Sequence, residues 1–198
     1  MTTMAAGNAG AGSYPVRLDV SYPEQLNRWL PFVKWLLAIP HLVILYFLQL
    51  AQLLVWLISF FAILFTGRFP EGLFTFQVGV LRWNSNVNAY LWLLRDEYPP
   101  FSLEEGNFPL AYAVDPPQQL NRLLVLVKWL LLIPHLIVLL LLAIAWTVVT
   151  FVAFFAILFT AKYPRGLFDF SEGVLRWQAR TSAYSFFLTD EYPPFSLK

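Results

Sequence analysis

The chain has 198 residues, of which 59% are hydrophobic and only 13% are charged, whereas about a quarter of the residues of a typical soluble domain are charged. A domain of this length cannot bury so much apolar surface in its own core, so the composition indicates an integral membrane protein covered by the lipid bilayer. The net charge of +1 argues against nucleic-acid binding, and the lack of cysteine excludes disulfides and thiolate chemistry.

A tandem duplication organises most of the chain. Residues 1–13 are small and polar and are predicted to form a disordered tail. Beyond them, residues 14–104 align with residues 108–198 without a gap at an offset of 94, and about half of the aligned residues are identical. The sequence therefore predicts two membrane repeats, 14–107 and 108–198.

Each repeat opens with residues of alternating polarity, Val16 to Val20 in the first and Leu110 to Val114 in the second, and this period of two predicts a short strand. The next stretch, Glu24 to Ile39, places apolar side chains on one helical face and polar side chains on the other. It is predicted to be an amphipathic helix at the membrane interface, with Trp29 at headgroup depth. Gln118 to Ile133 is its counterpart in the second repeat.

A long uncharged run follows the proline of each repeat, Leu42 to Thr66 after Pro40 and Leu136 to Thr160 after Pro134. Each run has 25 residues, and a helix of that length measures about 37 Å, more than the hydrocarbon core of about 30 Å. Each run is therefore predicted to form one transmembrane helix. A hairpin of two short membrane segments per repeat stays open as the alternative, because both flanks of each run are basic.

The last helix of each repeat is aromatic and apolar but carries polar side chains. Glu71 to Leu94 contains Arg82 and three asparagines, and its counterpart contains Glu172, Arg176 and Arg180. An arginine at the bilayer centre costs at least about 2.5 kcal/mol, so these helices are predicted to lie along the interface. The predicted fold is all-α, with an interfacial helix, a transmembrane helix and a second interfacial helix in each repeat.

One span per repeat makes the two repeats inverted relative to each other, as in many transporters. The segment between the two spans carries five basic residues and the rest of the chain carries eight. This mild bias favours cytoplasmic termini.

The repeated blocks and their order are specific. YPEQ, IPHL, FAILFTGRFPEGLFTF, GVLRW, AYLWLL and DEYPPFSL occur in the first repeat and return almost in full between residues 108 and 198. This pattern resembles the bacterial membrane-protein family catalogued as domain of unknown function 4389, and the resemblance covers nearly everything after residue 14. It implies a multi-pass protein of the bacterial cell (inner) membrane, and it implies no catalytic residues.

The two histidines, His41 and His135, occupy the same repeat position, directly after a proline at the start of an apolar run. An imidazole on a membrane helix is the usual axial ligand of haem or of a chlorophyll-type pigment, so both residues are candidate cofactor ligands. The alternative is a structural histidine that forms a local hydrogen bond at headgroup depth.

Structural ion pairs are predicted between the last helix of each repeat and the acidic turn that closes it, Arg82 with Asp96 and Arg176 with Asp190. The sequence contains no Ser–His–acid motif, no cluster of His and acidic residues at metal-ligand spacing and no glycine-rich phosphate loop. No catalytic or metal site is therefore predicted.

Three functions fit these features. The leading hypothesis is a non-enzymatic structural or accessory subunit of a membrane complex, with other membrane protein subunits as partners. The second is a small transporter or channel built from inverted repeats, and the third is a pigment- or haem-binding protein that uses His41 and His135.

Overall fold

The structure is a computed structural model that describes residues 14–106 and 108–198. The predicted tail, residues 1–13, lies outside the described residues, as does residue 107. Within these ranges the regular elements are β1 (Val16–Val20), α1 (Lys34–Leu37), α2 (Ile39–Thr66), α3 (Glu71–Leu91), β2 (Leu110–Val114), α4 (Leu124–Thr160) and α5 (Arg165–Ser185).

The two predicted strands form, and they pair with each other as an antiparallel ribbon. Leu18 lies opposite Tyr112 at the centre of this ribbon, and these are equivalent positions of the two repeats. The alternation of side chains along each strand buries Leu18 and leaves Arg17 and Asp19 exposed. A pseudo-twofold axis that relates the two repeats therefore passes through the centre of the ribbon.

The repeats exchange their opening segments. Strand β1 packs against α5 of the second repeat, and β2 packs against α3 of the first. The exchange continues beyond the strands, since the Leu26 amide donates to the Ala161 carbonyl at 2.8 Å and the equivalent Leu120 amide donates to the Gly67 carbonyl at 2.9 Å. The two repeats therefore fold as one unit.

The helices form two layers beneath the ribbon. Helices α3 and α5 contact the ribbon and each other, and α2 packs on α3 while α4 packs on α5. The second half of α2 lies beside the first turns of α4, where Trp56 and Trp129 line one groove. Reciprocally, Phe32 just before α2 contacts Phe154 near the end of α4. The long helices α2 and α4 thus run in opposite directions, and the pseudo-twofold axis is perpendicular to both.

The amphipathic helices predicted at Glu24–Ile39 and Gln118–Ile133 are not separate elements. The first repeat has only a single 3-10 turn, Leu30–Phe32, and the short α1 before α2, whereas in the second repeat α4 begins at Leu124. Pro40 lies in the first turn of α2, where a missing amide costs no hydrogen bond. Pro134 lies inside α4, because the packing of a 37-residue helix outweighs one lost backbone hydrogen bond. The sequence also predicts a helix break at each proline. A break does occur beside Pro40, between α1 and α2, but α4 continues through Pro134, so the prediction was wrong in the second repeat only.

The last helices were also placed wrongly by prediction. Helices α3 and α5 lie in the core, and Val80, Trp83 and Val87 of α3 are buried, as are Val174 and Trp177 of α5. Arg82 and Arg176 bond to the ribbon, and Asn84 and Gln178 line a cavity between the two helices, so much of the polarity of α3 and α5 faces the rest of the protein.

Candidate functional site: an apolar surface over a polar core

An apolar face covers the outside of the two long helices. It is formed by the exposed apolar side chains of α2 between Leu42 and Phe65 and of α4 between Leu126 and Phe159. Leu54 and Leu140 are 63% and 65% exposed. Both helices are long and apolar enough to cross a membrane, and only 22% of the most apolar stretch of α2 and 11% of that of α4 is buried. Soluble monomers rarely expose such large apolar patches. The helices therefore differ from the core helices of a soluble protein.

Only a narrow stripe of α2 faces inward. Its buried residues recur at helical spacing, and they include polar side chains: His41, Leu45, Gln52, Val55, Ser59 and Ile63. His41, Gln52 and Ser59 thus face the protein, whereas the exposed side chains of α2 are almost all apolar, with Gln49 as an exception.

An aromatic cage encloses His41. The Trp83 indole donates a hydrogen bond to Nδ1 at 3.0 Å, and the Phe101 ring stacks on the imidazole with the ring centres 4.0 Å apart. Tyr98 covers the ring from a further side, with its centre at 4.7 Å. Since Nδ1 accepts a hydrogen bond, the neutral imidazole carries its proton on Nε2. That atom is buried and bonds to no described residue.

The second repeat builds the same cage around His135. Trp177 donates to Nδ1 at 3.0 Å, and Phe195 stacks at 4.0 Å. Axial ligation of haem or of a pigment needs an imidazole nitrogen that faces open space. Here Nδ1 is occupied and Nε2 is buried in both cages, so the geometry argues against His41 and His135 as cofactor ligands. It favours the alternative of a structural histidine, although the hydrogen bond comes from an indole 42 residues away and not from the local backbone.

Arg82 does not pair with Asp96. Its Nε donates to the Tyr112 carbonyl at 3.0 Å, and its Nη1 donates to the Leu103 carbonyl at 3.0 Å. Arg82 therefore ties α3 both to the exchanged strand β2 and to the end of its own repeat.

Arg176 does the same in the second repeat and does not pair with Asp190. Its Nε donates to the Leu18 carbonyl at 2.8 Å, and its Nη2 contacts Asp19 at 3.0 Å and Glu172 at 2.9 Å. Both predicted ion pairs were wrong, because these arginines reach the strand of the other repeat and proximity along the chain does not reveal that contact.

The acidic turns instead bind buried lysines. Asp96 Oδ1 lies 2.8 Å from Lys34 Nζ, and Asp190 Oδ1 lies 2.8 Å from Lys128 Nζ. Each lysine also donates to a backbone carbonyl, that of Arg95 at 2.6 Å or that of residue 189 at 2.7 Å. Burial lowers the pKa of Lys34, and the neighbouring Asp96 opposes that shift. These lysine–aspartate pairs fix the start of each apolar helix to the end of its repeat.

The family model of DUF4389, a domain of unknown function, matches residues 28–102 and again residues 122–196. The chain belongs to the DUF4389 family. Comparison with the curated proteins and with the solved structures found no match. The predicted family and its tandem arrangement are thereby confirmed. Each DUF4389 unit contains one histidine cage and one lysine–aspartate pair, whereas both strands lie outside the matched ranges.

A cavity of about 280 Å³ lies between α3 and α5, where the two DUF4389 units meet. Asn84 and Asn88 line it from α3, and the equivalent Gln178 and Ser182 line it from α5. The cavity therefore lies on the pseudo-twofold axis. Its lining offers amides and hydroxyls without a carboxylate, amine or guanidinium group, so its chemistry suits water or a small neutral polar ligand.

Proposed function

We propose that the chain is a non-enzymatic membrane protein that acts as a structural or accessory subunit of a membrane complex. The apolar face carries this proposal. Acyl chains cover such a surface without the loss of hydrogen bonds, whereas its exposure to water is unfavourable. We propose the bacterial inner membrane as the location, because the repeated blocks resemble DUF4389. We propose that both termini lie in the cytoplasm, because more basic residues lie outside the central segment than within it.

The buried cations support a structural role. Lys34, Arg95 and Lys128 are the buried cations of the described residues, and each one bonds within the protein. Arg95 holds Glu97 through two nitrogens and donates to the Ser21 carbonyl. Groups bound in this way stabilise the fold and have little freedom to act on a substrate.

The ribbon is the surface that a second subunit would contact. It lies on α3 and α5, away from the long apolar helices. It carries the exposed ion pair of Arg17 with Asp115, whose side chains are 47% and 54% exposed, and also the exposed Asp19. A protein anchored by the apolar face keeps this charged surface free for a partner.

Membrane fractionation followed by purification in mild detergent tests the proposal on the full chain. We expect the chain to stay with the membrane through an alkaline wash and to co-purify with defined membrane proteins at fixed stoichiometry. The double variant Arg17→Glu with Asp115→Arg reverses the exposed ion pair and should release the partner but not the membrane. Release by the alkaline wash would contradict the membrane role, and a chain that purifies alone would contradict the accessory role.

A small transporter or channel is the second candidate, and the cavity on the pseudo-twofold axis favours it. Asn84, Asn88 and their equivalents converge there, as the polar groups of a central binding site do in inverted-repeat transporters. This candidate requires α2 and α4 to cross the bilayer in opposite directions. The measurement that decides is therefore the side of the membrane on which each helix ends.

A further inference from the structure

We infer that the apolar face is immersed in a single leaflet, so that α2 and α4 lie in the plane of the membrane and neither crosses it. The partner of this face is then the acyl chains and headgroups of one leaflet. The inference depends on the proposed membrane role. It replaces the predicted single span per repeat, so the termini and the central segment lie on the same side of the membrane and the difference in basic residues between them no longer indicates that side.

The symmetry of the fold is the first support. Two antiparallel helices related by a twofold axis can both span a bilayer only if that axis lies in the membrane plane at mid-depth. In this protein the same axis passes between Leu18 and Tyr112 at the centre of the ribbon. A spanning arrangement would therefore place the centre of the ribbon at the depth of the bilayer midplane.

The ribbon is chemically unsuited to that depth. Arg17 and Asp19 flank Leu18, and their side chains are 47% and 75% exposed. Asp115 follows β2 and is 54% exposed. Ionisable groups that face hydrocarbon at mid-depth are strongly unfavourable. When the long helices lie in the membrane plane, the ribbon lies above the headgroups and all three side chains are in water.

The length of α4 is the second support. Its 37 residues measure about 55 Å, nearly twice the hydrocarbon core of about 30 Å. Its one charged residue, Lys128, is buried against Asp190. A spanning helix of this length would need a steep tilt. A helix in the plane of one leaflet has no such limit on its length.

The rim of the apolar face matches a headgroup layer. Arg122 donates to the Thr66 carbonyl at the end of α2, and Arg68 follows that end by two residues. The equivalent Arg28 and Lys162 lie at the end of α4, and all four cations are exposed. Exposed indoles accompany them at Trp29, Trp35 and Trp129. Cations and indoles at the edge of an apolar surface are the groups that bind phosphates and interfacial lipid.

Cysteine labelling tests the inference directly, because the natural chain has no cysteine. Gly72 and Gly166 are equivalent exposed positions just after α2 and α4, and an added Cβ meets nothing within 4 Å at either one. Ala111 is exposed on the ribbon, and Leu140 lies on the apolar face. Each single variant, Gly72→Cys, Gly166→Cys, Ala111→Cys and Leu140→Cys, is expressed as the full chain. Each is treated with a membrane-impermeant maleimide in intact and in permeabilised cells.

If both helices lie in one leaflet, the two glycine variants and Ala111→Cys are on the same side of the membrane and react with the maleimide to the same extent. If that leaflet is the cytoplasmic one, all three are protected in intact cells and react after permeabilisation. Reaction of Gly72→Cys and Gly166→Cys from opposite sides would overturn the inference. So would an Ala111→Cys variant that stays unlabelled after permeabilisation. Leu140→Cys should stay unlabelled throughout. Its ready reaction would overturn the proposed membrane role itself, which separates the two failures.

Discussion

Replacing Lys34 by methionine tests the lysine–aspartate pair that recurs in both DUF4389 units. Lys34 is 2% exposed, and its Nζ lies 2.8 Å from Asp96 Oδ1 and 2.6 Å from the Arg95 carbonyl oxygen. Methionine has a similar length but makes neither contact. The variant therefore leaves Asp96 without its cation and leaves a backbone carbonyl without its donor.

The cost follows from these two losses. A hydrogen bond to a charged group contributes about 1.5–3 kcal/mol, and removing one partner of a buried ion pair costs about 3–5 kcal/mol in total. Asp96 is 24% exposed, so water screens part of its charge and the lower end of that range applies. We expect a loss of about 3 kcal/mol, which lowers the Tm of a chain of this size by roughly 6–12 °C.

Thermal unfolding in mild detergent, followed by near-ultraviolet circular dichroism, measures this shift. Lys128→Met removes the same contacts in the second unit and should cost a similar amount, whereas Lys162→Met changes an exposed cation and should cost nothing. Adding Asp96→Asn to Lys34→Met should recover part of the loss, because no unpaired charge then remains. An unchanged Tm for Lys34→Met, or a double variant less stable than the single one, would refute the reasoning.

Three further predictions use the same unfolding assay. Gly79→Ala should lower the Tm, because the added Cβ would lie 2.8 Å from the Leu103 carbonyl oxygen. The Cβ of Gly72→Ala meets no neighbour within 4 Å, so this control should raise the Tm slightly. Equal shifts of the two variants would contradict the prediction. Burial raises the pKa of Glu97, but its hydrogen bonds with Arg95 outweigh that effect and lower the pKa below the ordinary 4.5. The carboxylate therefore adds stability above pH 4.5 that is lost as the pH falls through the lower folded-state pKa. Glu97→Gln should remove this acid-dependent loss of stability. Glu191→Gln should not, because Thr189 stands in the second unit where the first has Arg95. Identical pH profiles of the two variants would exclude the Arg95 contact as the cause. Trp83→Phe leaves Nδ1 of His41 without a donor and should cost about 1–3 kcal/mol, and a fully stable variant would show that the cage does not depend on this bond.

Local patterns in the sequence predict the local parts of this fold. The alternation at Val16–Val20 forms a strand, and the uncharged run after Pro40 lies within α2. Prediction fails where contacts cross between the repeats. The strands pair with each other across the chain, and Arg82 and Arg176 bond to the exchanged strands, whereas periodicity reports only which side of an element is apolar.

The candidate site was recognisable in part. Recurrence in both repeats identified His41, but its partner Trp83 lies 42 residues further along the chain, so the cage could not be predicted from local sequence. The lysine–aspartate pair is only weakly indicated by the sequence. Lys34 and Asp96 recur in the second repeat, whereas the intervening Arg95 is replaced by threonine. Arg28, Arg82 and Glu97 recur as well, so the retention of a charge in a largely apolar repeat does not by itself identify this pair.

Collision rates of a nitroxide on the Leu140→Cys variant in liposomes test most directly whether acyl chains cover the apolar face. Leu140 is 65% exposed and lies near the middle of α4. Immersion in lipid predicts frequent collisions with oxygen and protection from a water-soluble nickel chelate, whereas a nitroxide on the Ala111→Cys variant of the ribbon should collide freely with the chelate. Equal access of the chelate to both sites would contradict the membrane role.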